Sequence, residues 1–160
     1  MAFFVSENVL VGQGIAENST TQKQALGQIV RAKDPDYGMG EFIYLKGVAS
    51  TAVGEWVTYN ADDWTTTLLA ANAIGPVAIA MSACVAGEFG WYQISGKAVG
   101  LAAAGFVDDA NVYATATAGT VDDAVVAGDR VKRAKGASAV AGGVADFEID
   151  RPFMDDAVAA

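Results

Sequence analysis

The chain has 160 residues, 52% of them hydrophobic, which suits a single domain with ample material for a core. Nineteen acidic and ten basic side chains give a formal charge of −9, which opposes phosphate backbones and argues against direct nucleic-acid binding. The chain has no histidine and a single cysteine, so Ser-His-Asp and Cys-His catalysis and an internal disulfide framework are excluded.

The first 25 residues differ from the rest of the chain and predict an extended N-terminal arm and linker. Apolar residues are costly on a free, exposed terminus, so we expect the arm to dock on its own domain or on a partner. The candidate contact residues are Phe3, Phe4, Val5, Val9, Leu10 and Val11. The arm lacks a signal-peptide pattern, and no segment reaches the roughly 20 apolar residues of a membrane span. We therefore expect synthesis in the host cytoplasm and no membrane partner.

From residue 26 onwards, short strand-like segments alternate with turn residues. Residues 41–47 carry apolar side chains on both faces, which predicts a central strand covered on both sides. Residues 77–82 alternate large and small side chains, and residues 144–150 alternate apolar and acidic ones. Sustained helical spacing is missing, apart from a short candidate helix at residues 20–26. The pattern predicts an all-β fold, a compact β-barrel or β-sandwich of short antiparallel strands, over residues 26–150, with a C-terminal tail at 151–160.

A glycine–acid pair behind a small apolar lead-in occurs three times along the chain. The pairs are Gly54 and Glu55, Gly87 and Glu88, and Gly128 and Asp129. Each pair predicts a tight turn in which glycine takes a positive φ and a strand follows. The residues after the first two turns are aromatic and are expected in the core. The third turn leads into the basic run 130–135, which predicts a polar edge facing solvent or a subunit.

Candidate catalytic and metal-binding residues are sparse. Acidic pairs occur at 62–63, 108–109, 122–123 and 155–156, and we interpret them as solvated loop acids in preference to catalytic or calcium-binding groups. The segments 12–14 and 38–40 are too short for a dinucleotide-binding loop. Ser95 and Lys97 share a strand face, but an ordinary exposed edge explains them. We therefore expect no enzyme activity, no catalytic residue, no metal and no cofactor.

Seven aromatic side chains admit two interpretations, a buried core or a carbohydrate-stacking surface. Their neighbours on the predicted strands are apolar as well, so the core is favoured. The seven are Phe42, Tyr44, Trp56, Tyr59, Phe89, Trp91 and Tyr92.

Over residues 26–150 the chain resembles the small decoration or cement proteins on the heads of tailed bacteriophages. The segments that carry the resemblance are 40–49, 53–59, 75–80, 86–96 and 113–122. It implies a β-barrel-like or sandwich domain, acting as a homotrimer, that binds the outer surface of the virion head and clamps neighbouring major capsid protein subunits. The acidic charge, the small-residue strand faces suited to close subunit packing, and the apolar arm agree with this hypothesis. The alternative is a carbohydrate-binding β-domain on a virion or cell surface.

Overall fold

The computed structural model describes residues 4–5, for their backbone, and residues 12–155. Within them the fold is all-β, with no helix, and every pairing between its strands is antiparallel. The strands are β1 (Phe4–Val5), β2 (Asn18–Ser19), β3 (Ile29–Asp34), β4 (Gly38–Lys46), β5 (Trp56–Tyr59), β6 (Thr66–Leu68), β7 (Gly75–Ala80), β8 (Phe89–Leu101), β9 (Asn111–Ala114), β10 (Val121–Asp122), β11 (Arg130–Gly136) and β12 (Val144–Met154). The helix expected at residues 20–26 is wrong. The Ser19 hydroxyl accepts a hydrogen bond from the Thr21 N–H and holds this segment in a turn.

The strands form one open sheet whose main path runs β1-β3-β4-β8-β7-β12-β11-β9-β10. Off this path, β2 pairs with β8, and β5 pairs with both β6 and β7. Strand β8 is 13 residues long and joins the two halves of the molecule. Its first half pairs with β4, β7 and β2, whereas its second half pairs with β12. Gly96, at φ 101°, lies where β8 passes from one half to the other. This connection gives the fold its compact, sandwich- or barrel-like form.

Strand β4 lies in the interior with both faces covered. Ile43 and Leu45 pack in one apolar cluster with Tyr92, while Tyr44 packs in another cluster with Trp91. The prediction of a central strand covered on both sides is therefore confirmed.

The small-residue strand faces are buried within the chain. On β7, Ala78 and Ala80 are fully buried against the cluster that contains Tyr92. On β8, Gly100 lies beneath Trp56 and Phe147, so closely that an added Cβ would come within 2.7 Å of the indole nitrogen. These faces therefore pack intramolecularly, whereas the sequence suggested contacts between subunits.

The glycine–acid turns have a common geometry. The φ angles of Gly54, Gly87 and Gly128 are 85°, 83° and 83°, and a strand begins two residues after each glycine. The residue after each glycine donates a backbone hydrogen bond three residues back, as in a type II turn. Gly27, Gly105 and Gly119 make the same turn without a following acid.

The third turn leads into β11, which is not an edge strand. It pairs with β9 on one side and β12 on the other, so the expectation of a polar edge is wrong. Val131 and Ala134 point into the core, while Arg130, Arg133 and Lys135 face solvent. The strand therefore has one polar face in the middle of the sheet.

Candidate functional site

The described part of the arm begins as an added edge strand. Phe4 pairs with Lys33 and Val5 with Ala32, so β1 extends the sheet beside β3. The remaining predicted contact residues of the arm lie outside the described residues; they are Phe3, Val9, Leu10 and Val11. An edge strand that receives a partner in this way has fewer unpaired peptide groups.

Gln13 anchors the arm to the domain. Its side chain is 3% exposed; its Oε1 accepts a hydrogen bond from the Tyr44 hydroxyl at 2.7 Å. Its Nε2 donates to the carbonyls of Glu17 at 2.7 Å and Phe89 at 2.9 Å. Its own carbonyl accepts from the Trp91 indole at 3.1 Å. Residues 12–25 are therefore docked on the β-domain from Gln13 onwards.

The acids of the three turns have structural roles. The Glu55 carboxylate accepts a hydrogen bond from the Ala52 N–H at 2.8 Å, and that of Glu88 accepts from the Val85 N–H at 3.1 Å. Asp129 differs, because it is buried and accepts from the Asn72 N–H, 57 residues away in sequence. The first two acids thus close their own turns, and the third ties two loops together.

The acidic pairs behave as turn-capping groups where the structure describes them. Asp63 accepts from the N–H and the hydroxyl of Thr65, and these hydrogen bonds lower the pKa of its carboxyl. Asp108 and Asp122 each accept from the next N–H along the chain. Across residues 12–155, no three acidic or thiol side chains converge in a way that could hold a metal ion.

The Ser95–Lys97 pair lies on interior strand β8, and its lysine is held in the charged form. The Lys97 ammonium is 3.1 Å from the Asp146 carboxylate and 4.7 Å from the ring centre of Tyr37. The hydrogen bond to Asp146 raises the pKa of Lys97. A lysine general base needs the opposite shift, so this geometry does not build a Ser-Lys base.

The basic run on β11 is matched by neighbouring polar and acidic groups. Arg133 is 2.7 Å from Asp150, and Lys135 is 2.6 Å from Asp109. Arg130 donates to the amide oxygen of Asn111 at 2.9 Å. These pairs are exposed and add little stability. They do reduce the positive field that a phosphate-binding surface would need.

An apolar groove lies where the first turn meets strands β8 and β12; we call it the valine groove. Its volume is about 320 Å³, and its main lining side chains are Tyr37, Val53, Met81, Val99 and Val144. Val53 is 60% exposed and Val99 39%, so both valines are open to solvent.

The arm and the valine groove are neighbours. Asp34 also lines the groove, and its Oδ1 accepts from the N–H groups of Asp36 and Tyr37. Lys33, the residue before Asp34, pairs with Phe4 of β1. The arm strand therefore pairs with the strand whose last residue lines the groove, and we call the two together the arm–groove surface.

A second groove is rich in hydroxyl groups; we call it the hydroxyl groove. It lies between the β5–β6 hairpin and the start of β7, and its volume is about 430 Å³. The residues that line it include Thr58, Tyr59, Asn60, Thr67, Ile74 and Pro76.

The aromatic side chains mostly form the core. Five of the seven are fully buried; they are Phe42, Tyr44, Trp56, Trp91 and Tyr92. Tyr59 and Phe89 are half-buried. Trp64, which is absent from the predicted set, is also half-buried and stacks on Tyr59 with ring centres 6.5 Å apart.

No protein-family model, curated protein or solved structure matches this chain. Over the described residues, no helix has the length and apolar character needed to span a bilayer.

Sequence reasoning missed Gln13 and both grooves. Gln13 lies between Gly12 and Gly14, and nothing in the local sequence signals that this glutamine will be buried. The grooves join segments from distant parts of the chain, such as Val53 with Val144. Only the exposure of single valines at turns could have hinted at the first groove.

Proposed function

We propose that this chain is a capsid decoration, or cement, protein of a tailed bacteriophage. It acts as a homotrimer on the outer surface of the head, has no catalytic activity, and stabilises contacts between major capsid protein subunits. The resemblance over residues 26–150 and the all-β fold support this proposal. The observation that carries it is the pairing of the arm strand with β3, the strand whose last residue lines the valine groove.

The arm–groove surface offers two kinds of contact to a coat subunit. A coat segment can bury the apolar side chains of the groove, and covering one valine fully contributes about 1.5 kcal/mol or more. The arm adds backbone pairing at a sheet edge, which gives register as well as affinity. Both contacts lie on one surface, so one coat subunit can engage them together and gain from the high effective concentration.

Arm truncation tests this proposal, and the structure fixes where to cut. Removing residues 2–20 would also remove Gln13 and the buried Ile15, and so would damage the domain. Removing residues 2–11 leaves both in place. We expect this shorter truncation to lower occupancy on purified phage heads, measured as the ratio of this chain to major capsid protein on gels. Undiminished occupancy would remove the arm from the binding surface.

A charge in the valine groove tests the other half of the surface. Val53→Glu introduces a carboxylate at a position that is 60% exposed, so the free domain should fold normally. The matched control is Val125→Glu, at a valine that is 80% exposed and outside the groove. We expect Val53→Glu to raise the apparent Kd for heads, read from head occupancy, at least tenfold, which corresponds to about 1.4 kcal/mol, and Val125→Glu to leave it unchanged. Equal occupancy for the two variants would contradict the proposed surface.

The homotrimer and the phage context have simple tests of their own. Light scattering on the purified chain should give three times the monomer mass of 16.4 kDa. The heads for the occupancy assay are those whose major capsid protein is encoded beside this reading frame. If no neighbouring reading frame encodes a major capsid protein, that result contradicts the cement proposal.

A further inference from the structure

We propose that the hydroxyl groove binds a neutral saccharide. This inference is independent of the cement proposal, because the groove and the arm–groove surface share no lining residue. It also differs from the aromatic set that the sequence suggested for carbohydrate stacking, because Trp56 and Trp91 are fully buried and cannot contact a sugar.

The groove presents polar groups that the protein leaves available. Within residues 12–155, the hydroxyls of Thr58, Tyr59 and Thr67 make no hydrogen bond to protein groups. Thr58 and Thr67 are directly opposed across the β5–β6 pairing, so their side chains share one face. The Asn60 Oδ1 accepts from the Asp62 N–H, which leaves the amide NH₂ to donate. Hydroxyl and amide groups of this kind match the alternating donors and acceptors of a sugar ring.

The apolar part of the groove matches the C–H faces of a saccharide ring. Tyr59 and Pro76 line the same groove, together with Ile74, which is 63% exposed. A pyranose ring has C–H faces that pack on such surfaces while its hydroxyls bond at the rim.

Charge argues against an ionic ligand. No charged side chain lines the groove. Arg151 is close enough to Tyr59 to influence its pKa, but its guanidinium is 3.0 Å from Glu41. A phosphate or carboxylate ligand would therefore find no free cation there, whereas a neutral sugar requires none.

The wall beside Tyr59 is held rigidly, as a preformed binding site requires. Trp64 stacks on the tyrosine ring at an angle of 27°, and it takes φ 60°, a conformation that is unfavourable for a bulky residue. Its backbone is held from both sides, because its N–H donates to the Asn60 carbonyl and its carbonyl accepts from the Lys46 N–H. Its indole lies on Gly27, where an added Cβ would be 2.5 Å from the ring. Strain maintained by so many contacts is typical of a functional position.

Binding can be measured on the purified chain without phage heads. The probes are an array that carries neutral and charged glycans, and NMR titrations of ¹⁵N-labelled protein with glucose, galactose, mannose and N-acetylglucosamine at millimolar concentrations. We expect saturable binding to at least one of these probes, with shifts at the amides of Thr58, Tyr59 and Thr67. Trp64 fluorescence should change as well, since the other two tryptophans are buried.

Three variants separate the groove from the rest of the surface. Thr67→Val and Tyr59→Phe each remove one hydroxyl and should weaken binding about three- to tenfold. Thr117→Val makes the same change at an exposed threonine outside the groove and should leave binding unchanged. The proposal is overturned if none of the probes binds, if only charged glycans bind, or if Thr67→Val and Tyr59→Phe bind as tightly as the parent chain.

Discussion

At the scale of single residues, Gln13 connects the arm to the core. Both the oxygen and the nitrogen of its amide form hydrogen bonds. The Tyr44 hydroxyl donates to its side-chain oxygen, and the Trp91 indole N–H donates to its backbone carbonyl. This arrangement explains how two large polar aromatics can lie fully buried without an unpaired hydroxyl or indole N–H. The glutamine therefore provides hydrogen-bond partners for buried polar groups of the core, and it also holds the arm segment against the domain.

We predict that Gln13→Leu destabilises the fold strongly. Leucine has a similar volume, but it removes the acceptor of the Tyr44 hydroxyl and the donor to the Glu17 and Phe89 carbonyls. The free energy of unfolding, measured with urea, should fall by about 2–4 kcal/mol. Gln22→Leu is the matched control, because Gln22 is exposed and bonds only to the nearby Gln24 carbonyl; its effect should stay within about 0.5 kcal/mol. Similar losses in the two variants would mean that Gln13 is no anchor.

At the scale of elements, the turns and strands can be predicted from the local sequence. Which strand pairs with which cannot be predicted in this way. The glycine of each turn and the alternation on β7 or β12 can be recognised because they depend on nearby residues. The position of β11 between β9 and β12 depends on pairings with segments about 20 residues away along the chain. A basic run such as 130–135 also favours an edge on charge alone; here Asp109 and Asp150 neutralise it in the middle of the sheet.

The candidate site shows the same limit. The arm stays a prediction from the sequence, where its apolar residues stand out at a polar terminus. The two grooves could not be predicted, since each is formed by segments that meet only after distant strands have paired. Trp64 carried no signal either, because its exposure depends on the turn at Asn60 and on the absence of a side chain at Gly27.

Substitutions at two glycines separate the two reasons for glycine in these elements, a positive φ and a close backbone contact. Gly87→Ala should cost about 1–2 kcal/mol, because φ 83° is strained for alanine although no atom lies within 4 Å of the new Cβ. Gly87→Asn should recover part of that loss, since asparagine tolerates this conformation. Gly47→Ala should cost more than either, because its Cβ would clash with the backbone carbonyl of Cys84. Chemical denaturation ranks the three; a Gly87→Ala protein as stable as its parent would contradict the turn assignment.

At the scale of the whole molecule, the ionisable groups divide between the two ends of the pH range. The chain has no histidine, so its side chains leave a gap in titration near neutrality. Hydrogen bonds from Thr65 lower the pKa of Asp63, so its stabilising contribution is present above about pH 4 and is lost as the pH falls. Ion pairing raises the pKa of Lys97 and Lys135, so their contributions are present below about pH 10 and are lost as the pH rises.

Tyr92 should set much of the alkaline limit. Burial raises the pKa of its hydroxyl far above the ordinary value, and the nearby Cys84 thiol adds to this effect. Above about pH 10 the unfolded chain can ionise this tyrosine while the folded chain cannot, so stability is lost as the pH rises.

We expect the free energy of unfolding to be level between about pH 5 and 8 and to fall steeply above pH 10. Tyr92→Phe should keep the parent's stability at pH 7 within about 1 kcal/mol and should reduce the alkaline slope by up to about 1.4 kcal/mol per pH unit. Urea unfolding at a series of pH values measures both, and an unchanged alkaline slope would mean that the Tyr92 hydroxyl ionises in the folded chain.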